Sequence, residues 1–163
     1  MAGTGSENTK EWKVLFVCLG NICRSPIAEA VFKKEALAAG LKVYVDSAGI
    51  IDYHHGKTPD SRAQQTMKKH DVPMDHRARQ IKKEDFTKFD FIFGKDEENM
   101  DDLKRMKPAN STATVELFGK YHTKKNLIIR DPYYDEGSEG FEECYQQCVV
   151  CSRGFIAHLK SLK

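Results

Sequence analysis

The sequence predicts an α/β protein: a single domain whose central four-stranded parallel sheet is flanked by helices on both faces. Three observations predict it. Runs rich in apolar and β-branched residues alternate with helix-forming runs, the pattern of strands joined by crossover helices. The first apolar run, Val14-Leu15-Phe16-Val17, has the unbroken character of a buried strand. A chain of 163 residues suits one compact domain with a real core.

The elements follow in order. Met1–Glu11 is small and polar and reads as a flexible tail ahead of a domain over residues 12–163. After the first strand comes a tight loop, and Pro26 suits the first position of a helix because its missing N–H would be unpaired there anyway. That helix runs on through Lys34, with Gly40 as its stop. Lys42–Ala48 is a second strand, and residues 49–59 form a loop containing Tyr53, His54, His55 and Gly56. A helix opens at Pro59-Asp60 and continues to about His70. Asp71–Ile81 is irregular, and Lys83–Phe86 forms a helical turn. Phe89–Phe93 is the third strand, and the acids from Asp96 onward suit the N-terminal dipole of the next helix. Thr114–Phe118 and Leu127–Ile129 read as short strands, and Phe141–Leu162 as a long final helix.

Charge and composition exclude several classes of function. With 26 basic and 24 acidic residues, the net charge of +2 predicts neither a nucleic-acid nor a membrane partner. No apolar run reaches the length of a membrane span, and the N-terminus has no apolar stretch of signal-peptide type. A cytoplasmic protein is expected, acting as a monomer, and its five cysteines are expected as reduced thiols.

The chemistry concentrates in Val14–Ser25. Strand, Cys18, five intervening residues, Arg24-Ser25 and a helix start make a device for holding an oxyanion against a sulfur. Loop amides and a helix N-terminus converge on one point and favour negative charge there. Arg24 adds a planar fork that matches two phosphate oxygens. The same positive field favours Cys18 as thiolate, the nucleophilic form. Ser25 can donate a hydrogen bond to that sulfur. Leu19, Gly20, Asn21, Ile22, Cys23, Arg24 and Ser25 are therefore the candidate phosphate-binding loop after the first strand. In parallel sheets, ligands sit beyond the carboxyl ends of the strands. Cys18 lies at such an end, with Ser47 near the end of the second strand and Asp96 just beyond the third.

The segment Val14–Pro26 resembles the signature of the low-molecular-weight protein tyrosine phosphatases, and the likeness extends from Lys13 to about Leu162. A second segment, Asp131-Pro132-Tyr133-Tyr134, matches that family as well. The resemblance implies a phosphotyrosine hydrolase acting on tyrosine-phosphorylated proteins and on small aryl phosphates, with no metal or other cofactor. It implies Cys18 as nucleophile, Arg24 as phosphate clamp and Asp131 as the acid that protonates the leaving group and then activates water. It also implies that Ser47 and His76 hold Asn21, locking the loop shape, and that Tyr53 stands on the rim.

Tyr133 and Tyr134 read as exposed aromatics beside the acid, a wall for an aromatic ring. His54 departs from the acidic residue found at the rim in some relatives, which bears on peptide preference and not on catalysis. Asp96 suits either an ion pair that braces Arg24 or a helix cap. Cys23, five residues after Cys18, suits either a reversible disulfide with Cys18 under oxidation or simple packing. Cys144, Cys148 and Cys151 share a helix face with Phe141, Phe155 and Leu162, so they read as core and not as a metal cluster. The lysine pairs at 68–69, 82–83 and 124–125 read as solvated faces.

Rival chemistries fit less well. A peptidase with Cys18 as nucleophile and His76 as base leaves Arg24 unexplained. An arsenate reductase needs further cysteines near the site, and none occurs between Cys23 and Cys144. A protein-arginine phosphatase would favour a more polar residue than Ile22. A non-catalytic phosphate-binding module would be expected to lack Cys18 or Asp131.

Overall fold

The structure, a computed structural model, describes residues 10–52, 54–125 and 127–162. Tyr53 and most of the expected tail lie outside the described residues. Four parallel strands, β1 (Glu11–Cys18), β2 (Lys42–Gly49), β3 (Phe91–Gly94) and β4 (Thr114–Leu117), form one sheet in the order β2-β1-β3-β4. The helices are α1 (Arg24–Ala38), α2 (Ser61–Lys69), α3 (Asp85–Lys88), α4 (Glu97–Met106) and α5 (Glu139–Ser161), and a 3₁₀ turn covers Phe118–Tyr121.

β1 is central, and its alternation divides the core in two. Val14 and Phe16 point to a cluster built with α1 and α5, including Phe32, Phe141 and Phe155. Leu15 and Val17 point to the opposite face, where Phe86, Ile92 and Leu103 close a second cluster. Both faces of the strand are buried, which is why its sequence shows no polar alternation. Phe16, Phe93, Phe118 and Phe155 form a connected aromatic group, with ring centroids 4.8 Å apart for Phe16–Phe118 and for Phe93–Phe155. Such tilted and edge-on pairs add stabilisation beyond the area they bury.

Several local expectations are corrected. β1 begins at Glu11, ahead of the apolar run, because Glu11 and Trp12 pair with Lys42 and Val43 of β2. α1 begins at Arg24, so Pro26 occupies its third position, still within the first turn where no N–H is required. Phe89 and Asp90 precede β3, and Phe118 belongs to the 3₁₀ turn. Leu127–Ile129 is not a strand. Leu127 instead donates to the Gly119 carbonyl at 3.1 Å and Ile129 to the Lys95 carbonyl at 3.0 Å, so irregular chain is tied down without a ladder. Among the described residues, no helix is long and apolar enough to cross a membrane.

Candidate active site

β1 delivers Cys18 to the carboxyl edge of the sheet, where it is 4% exposed. Its Sγ lies 3.0 Å from Ser25 Oγ and accepts from the Ser25 amide at 3.4 Å. No side chain caps the start of α1 at Cys23, so the Ser25 amide reaches the sulfur without a competing side-chain acceptor. The carbonyls of Cys18, Leu19 and Ile22 accept from Ile50, Ile51 and Asp60 at 2.9, 3.0 and 2.8 Å. Those bonds keep three acceptors out of the loop's centre, where they would repel an anion.

Asn21 fixes the loop's shape. It is buried with a left-handed backbone, φ 61°, a conformation Asn tolerates better than most residues. Its side chain donates to Ser25 Oγ at 2.9 Å and to Ser47 Oγ at 3.0 Å. Its carbonyl accepts from His76 Nε2 at 2.7 Å and from the Arg79 amide at 2.9 Å. Every polar group of Asn21's side chain is thereby used. Behind it, Ser47 Oγ donates to Glu29 at 2.6 Å, and His76 Nδ1 lies 3.2 Å from the same carboxyl oxygen. Burial is the leading cause that raises Glu29 to about 7 and lowers His76 below its ordinary value.

Arg24 is almost wholly buried. Nη1 donates to Asp96 Oδ2 at 2.6 Å and to the Ile129 carbonyl at 2.8 Å. Nη2 lies 3.7 Å from Asp131 Oδ2. Nε has no hydrogen-bond partner among the described residues, although it is buried. Burial opposes the charge, but the Cys18 sulfur and the Asp96 carboxylate more than offset it, and the guanidinium's pKa is raised. Asp96 fills both roles left open by the sequence, since its other oxygen caps α4 at the Asn99 amide, 2.8 Å away.

Asp131 stands across the cleft from Cys18 in a pocket lined also by Leu19, Gly20, Ile22, Cys23, Ile51, His54, Tyr133 and Tyr134. Its Oδ1 accepts from the Tyr133 amide at 3.0 Å, a turn that orients the carboxylate. Tyr134 is 85% exposed, whereas Tyr133 is half-buried, packing edge-on to Tyr134 and to His54. Gly20 sits directly under His54, and a Cβ there would meet the imidazole at 2.9 Å.

Sequence reasoning missed the groups that hold this wall. Arg62 donates to the Tyr133 carbonyl at 2.8 Å and the Asp135 carbonyl at 2.6 Å, while Asp60 and the Phe141 ring fix its guanidinium. Gly140 lets the segment lie close, because a Cβ there would collide with the Asp135 carboxylate. Ile51 was also missed. Nothing local marks the role of Arg62, since the carbonyls it holds lie 71 and 73 residues away in sequence. Cys144, Cys148 and Cys151 are buried core thiols, and the three lysine pairs are exposed.

Fold and site together define a class: an α/β protein with a cysteine–arginine anion cradle at the carboxyl end of its first strand and a carboxylate facing it. Residues 13–163 match the family described as low molecular weight phosphotyrosine protein phosphatase, and the chain belongs to that family. It is similar to the low molecular weight phosphotyrosine protein phosphatase of Homo sapiens, 53% identical over 147 residues that cover 88% of this chain and 92% of that protein. The crystal structure of Primo-1 superimposes with a TM-score of 0.87 at 51% identity, covering 90% of this chain and 97% of that one. The crystal structure of DARP, a Drosophila arginine phosphatase, does so with a TM-score of 0.88 at 39% identity, covering 93% and 99%.

Proposed function

We propose that the protein hydrolyses phosphotyrosine in proteins, and small aryl phosphates, through a cysteinyl-phosphate intermediate. One observation carries the reading: Arg24 is anchored through Nη1, while its buried Nε makes no hydrogen bond among the described residues. A buried donor without a partner is rare and calls for one, and a phosphoryl oxygen supplies it.

Cys18 Sγ attacks phosphorus in line with the leaving phenolic oxygen. The S–P bond forms as the P–O bond breaks, and charge spreads over the three equatorial oxygens. Arg24 and the amides of Leu19 to Ser25 hold those oxygens, so no metal is needed to neutralise them. Asp131 passes its proton to the departing oxygen. It then takes a proton from the water that attacks the phospho-cysteine, releasing phosphate and the Cys18 thiolate. Ser25 Oγ, 3.0 Å from the sulfur, stabilises it as it leaves. Tyr133 and Tyr134 wall the pocket, making it deep enough to favour an aromatic ester. Ser47, His76 and Asp96 support the loop and Arg24.

The domain over residues 12–163 acts as a cytoplasmic monomer, a setting that five free thiols suit. The test is steady-state and burst kinetics with an aryl phosphate, a phosphotyrosine peptide and a phosphoarginine peptide, with and without chelator. Turnover of both aromatic esters with a burst of phenol and no effect of chelator is expected. Preference for phosphoarginine would contradict the substrate assignment, and loss of activity on chelation would contradict the chemistry.

A further inference from the structure

Lys95 follows β3 and precedes the cap of α4, a place where a lysine ordinarily reaches solvent. It is 0% exposed, and its Nζ has no hydrogen-bond partner among the described residues. The strand register explains where it goes. Phe16 pairs with Phe93 across β1 and β3. Two residues further on, Cys18 and Lys95 follow at the ends of neighbouring parallel strands, and strand alternation puts them on the same face. The Lys95 ammonium lies over the rings of Phe16 and Phe118, at 4.5 and 5.1 Å from their centroids.

Its backbone is fixed as firmly. The Lys95 amide donates to Asn99 Oδ1 at 3.0 Å, and its carbonyl accepts from Ile129 at 3.0 Å. Ile129 in turn receives Arg24 Nη1 at 2.8 Å. Lys95 therefore joins the segment after β3 to the one that leads into Asp131. A methionine or leucine would fill the same space without taking a charge out of water. Contacts to two ring faces recover only part of that cost.

We propose, on the assignment of Cys18 as nucleophile made above, that Lys95 is a positioning residue: a fixed positive charge beside the phosphate loop that holds Cys18 as thiolate without touching the substrate. The groups that act on the amine are Cys18 from β1, Arg24 from α1, and Cys144 and Cys148 from α5. Cys151, also on α5, feels the lysine in turn. Hydrogen bonding to Cys148 and burial keep Cys144 a neutral thiol, and burial pushes Cys151 up to about 12. Burial first, and Arg24 with it, brings the Lys95 amine down to about 8, while Cys148 and Cys18 draw it back up. The charge is thus present below about pH 8 and lost above it.

The test uses the purified full chain and two variants, Lys95→Met and Lys95→Arg. Iodoacetamide alkylation of Cys18, followed by peptide mass spectrometry as a function of pH, reads the thiolate without turnover. In Lys95→Met the midpoint of alkylation is expected to rise by about one unit or more, a tenfold smaller thiolate fraction at low pH. The same variant should melt about 4 °C higher or more, since a buried unpaired charge has been removed. Its affinity for inorganic phosphate should be several-fold weaker at pH 6 and converge on wild type above about pH 8. Lys95→Arg should keep the wild-type midpoint. An unchanged midpoint in folded Lys95→Met overturns the proposal, as does a midpoint raised equally in Lys95→Arg, which would assign the effect to packing. A wild type inactive on phosphotyrosine but with a Lys95-dependent midpoint would contradict the substrate assignment alone.

Discussion

Arg24 Nη1 sits 2.6 Å from Asp96 Oδ2, and the same carboxylate caps α4 through the Asn99 amide. The phosphate clamp and a helix start therefore share one side chain. Asp96→Asn keeps a good cap but breaks the ion pair. It should lower kcat/KM about 10–100-fold, the worth of a hydrogen bond to a charged group, with little change in Tm. Asp96→Ala should lose the activity and about 1 kcal/mol of stability as well. Equal Tm loss in both variants would show that the ion pair, not the cap, stabilises the fold.

Asp131→Asn retains an acceptor for the Tyr133 amide, 3.0 Å away in the native protein, and removes the proton. Hydrolysis should slow by about 10²–10⁴-fold for esters with poor leaving groups and much less for activated ones. A series of substituted phenyl phosphates measures this. A uniform loss across the series would make Asp131 a structural residue.

Much of this site was legible because it is local. Cys18, the loop, Arg24 and the start of α1 lie within one short stretch, and backbone geometry alone brings sulfur, amides and guanidinium together. The sheet was legible for the same reason, since an unbroken apolar run such as Val14–Val17 only suits a strand covered on both faces. What supports the site was not. Arg62 reaches the Asp131 segment across 71 residues of sequence, and Arg79 reaches Asn21 across 58. Lys95 looks like any lysine before a helix until the β1–β3 register places it under the loop. Leu127–Ile129 looked like a strand because it is apolar, but it packs through single bonds to Gly119 and Lys95 instead.

Glu29 is raised from 4.5 to about 7, chiefly by burial. In the fold it keeps a proton that the unfolded chain has already released, so its contribution to stability falls as pH rises from about 4.5 to about 7 and is constant above. His76, lowered by burial, works oppositely, destabilising the fold as pH drops below its ordinary 6.5. Comparing Glu29→Gln with wild type isolates the carboxyl. The variant's stability advantage, read from its unfolding transition, should grow across that window toward about 3 kcal/mol, then level off. A constant difference from pH 4.5 to 7.5 would contradict a carboxyl held neutral at Glu29.

Cys23 is buried beside the nucleophile, and burial, followed by the charge on Cys18, pushes its thiol up. Closing a disulfide onto oxidised Cys18 needs the Cys23 thiolate, so it should be slow near neutral pH and faster as pH rises. After a peroxide pulse, wild type should recover more activity with dithiothreitol than Cys23→Ser, by a margin that widens with pH. Equal recovery in the two proteins would leave Cys23 as a packing residue.

The most direct test of the mechanism is to look for the intermediate. Asp131→Asn, mixed with an aryl phosphate that has a good leaving group and quenched in acid, should carry one phosphoryl group on the peptide containing Cys18. Cys18→Ser, treated identically, should carry none and should show no turnover while still binding phosphate. A phosphoryl group found on another residue, or a Cys18→Ser variant with near wild-type activity, would contradict the assignment of Cys18 as the nucleophile.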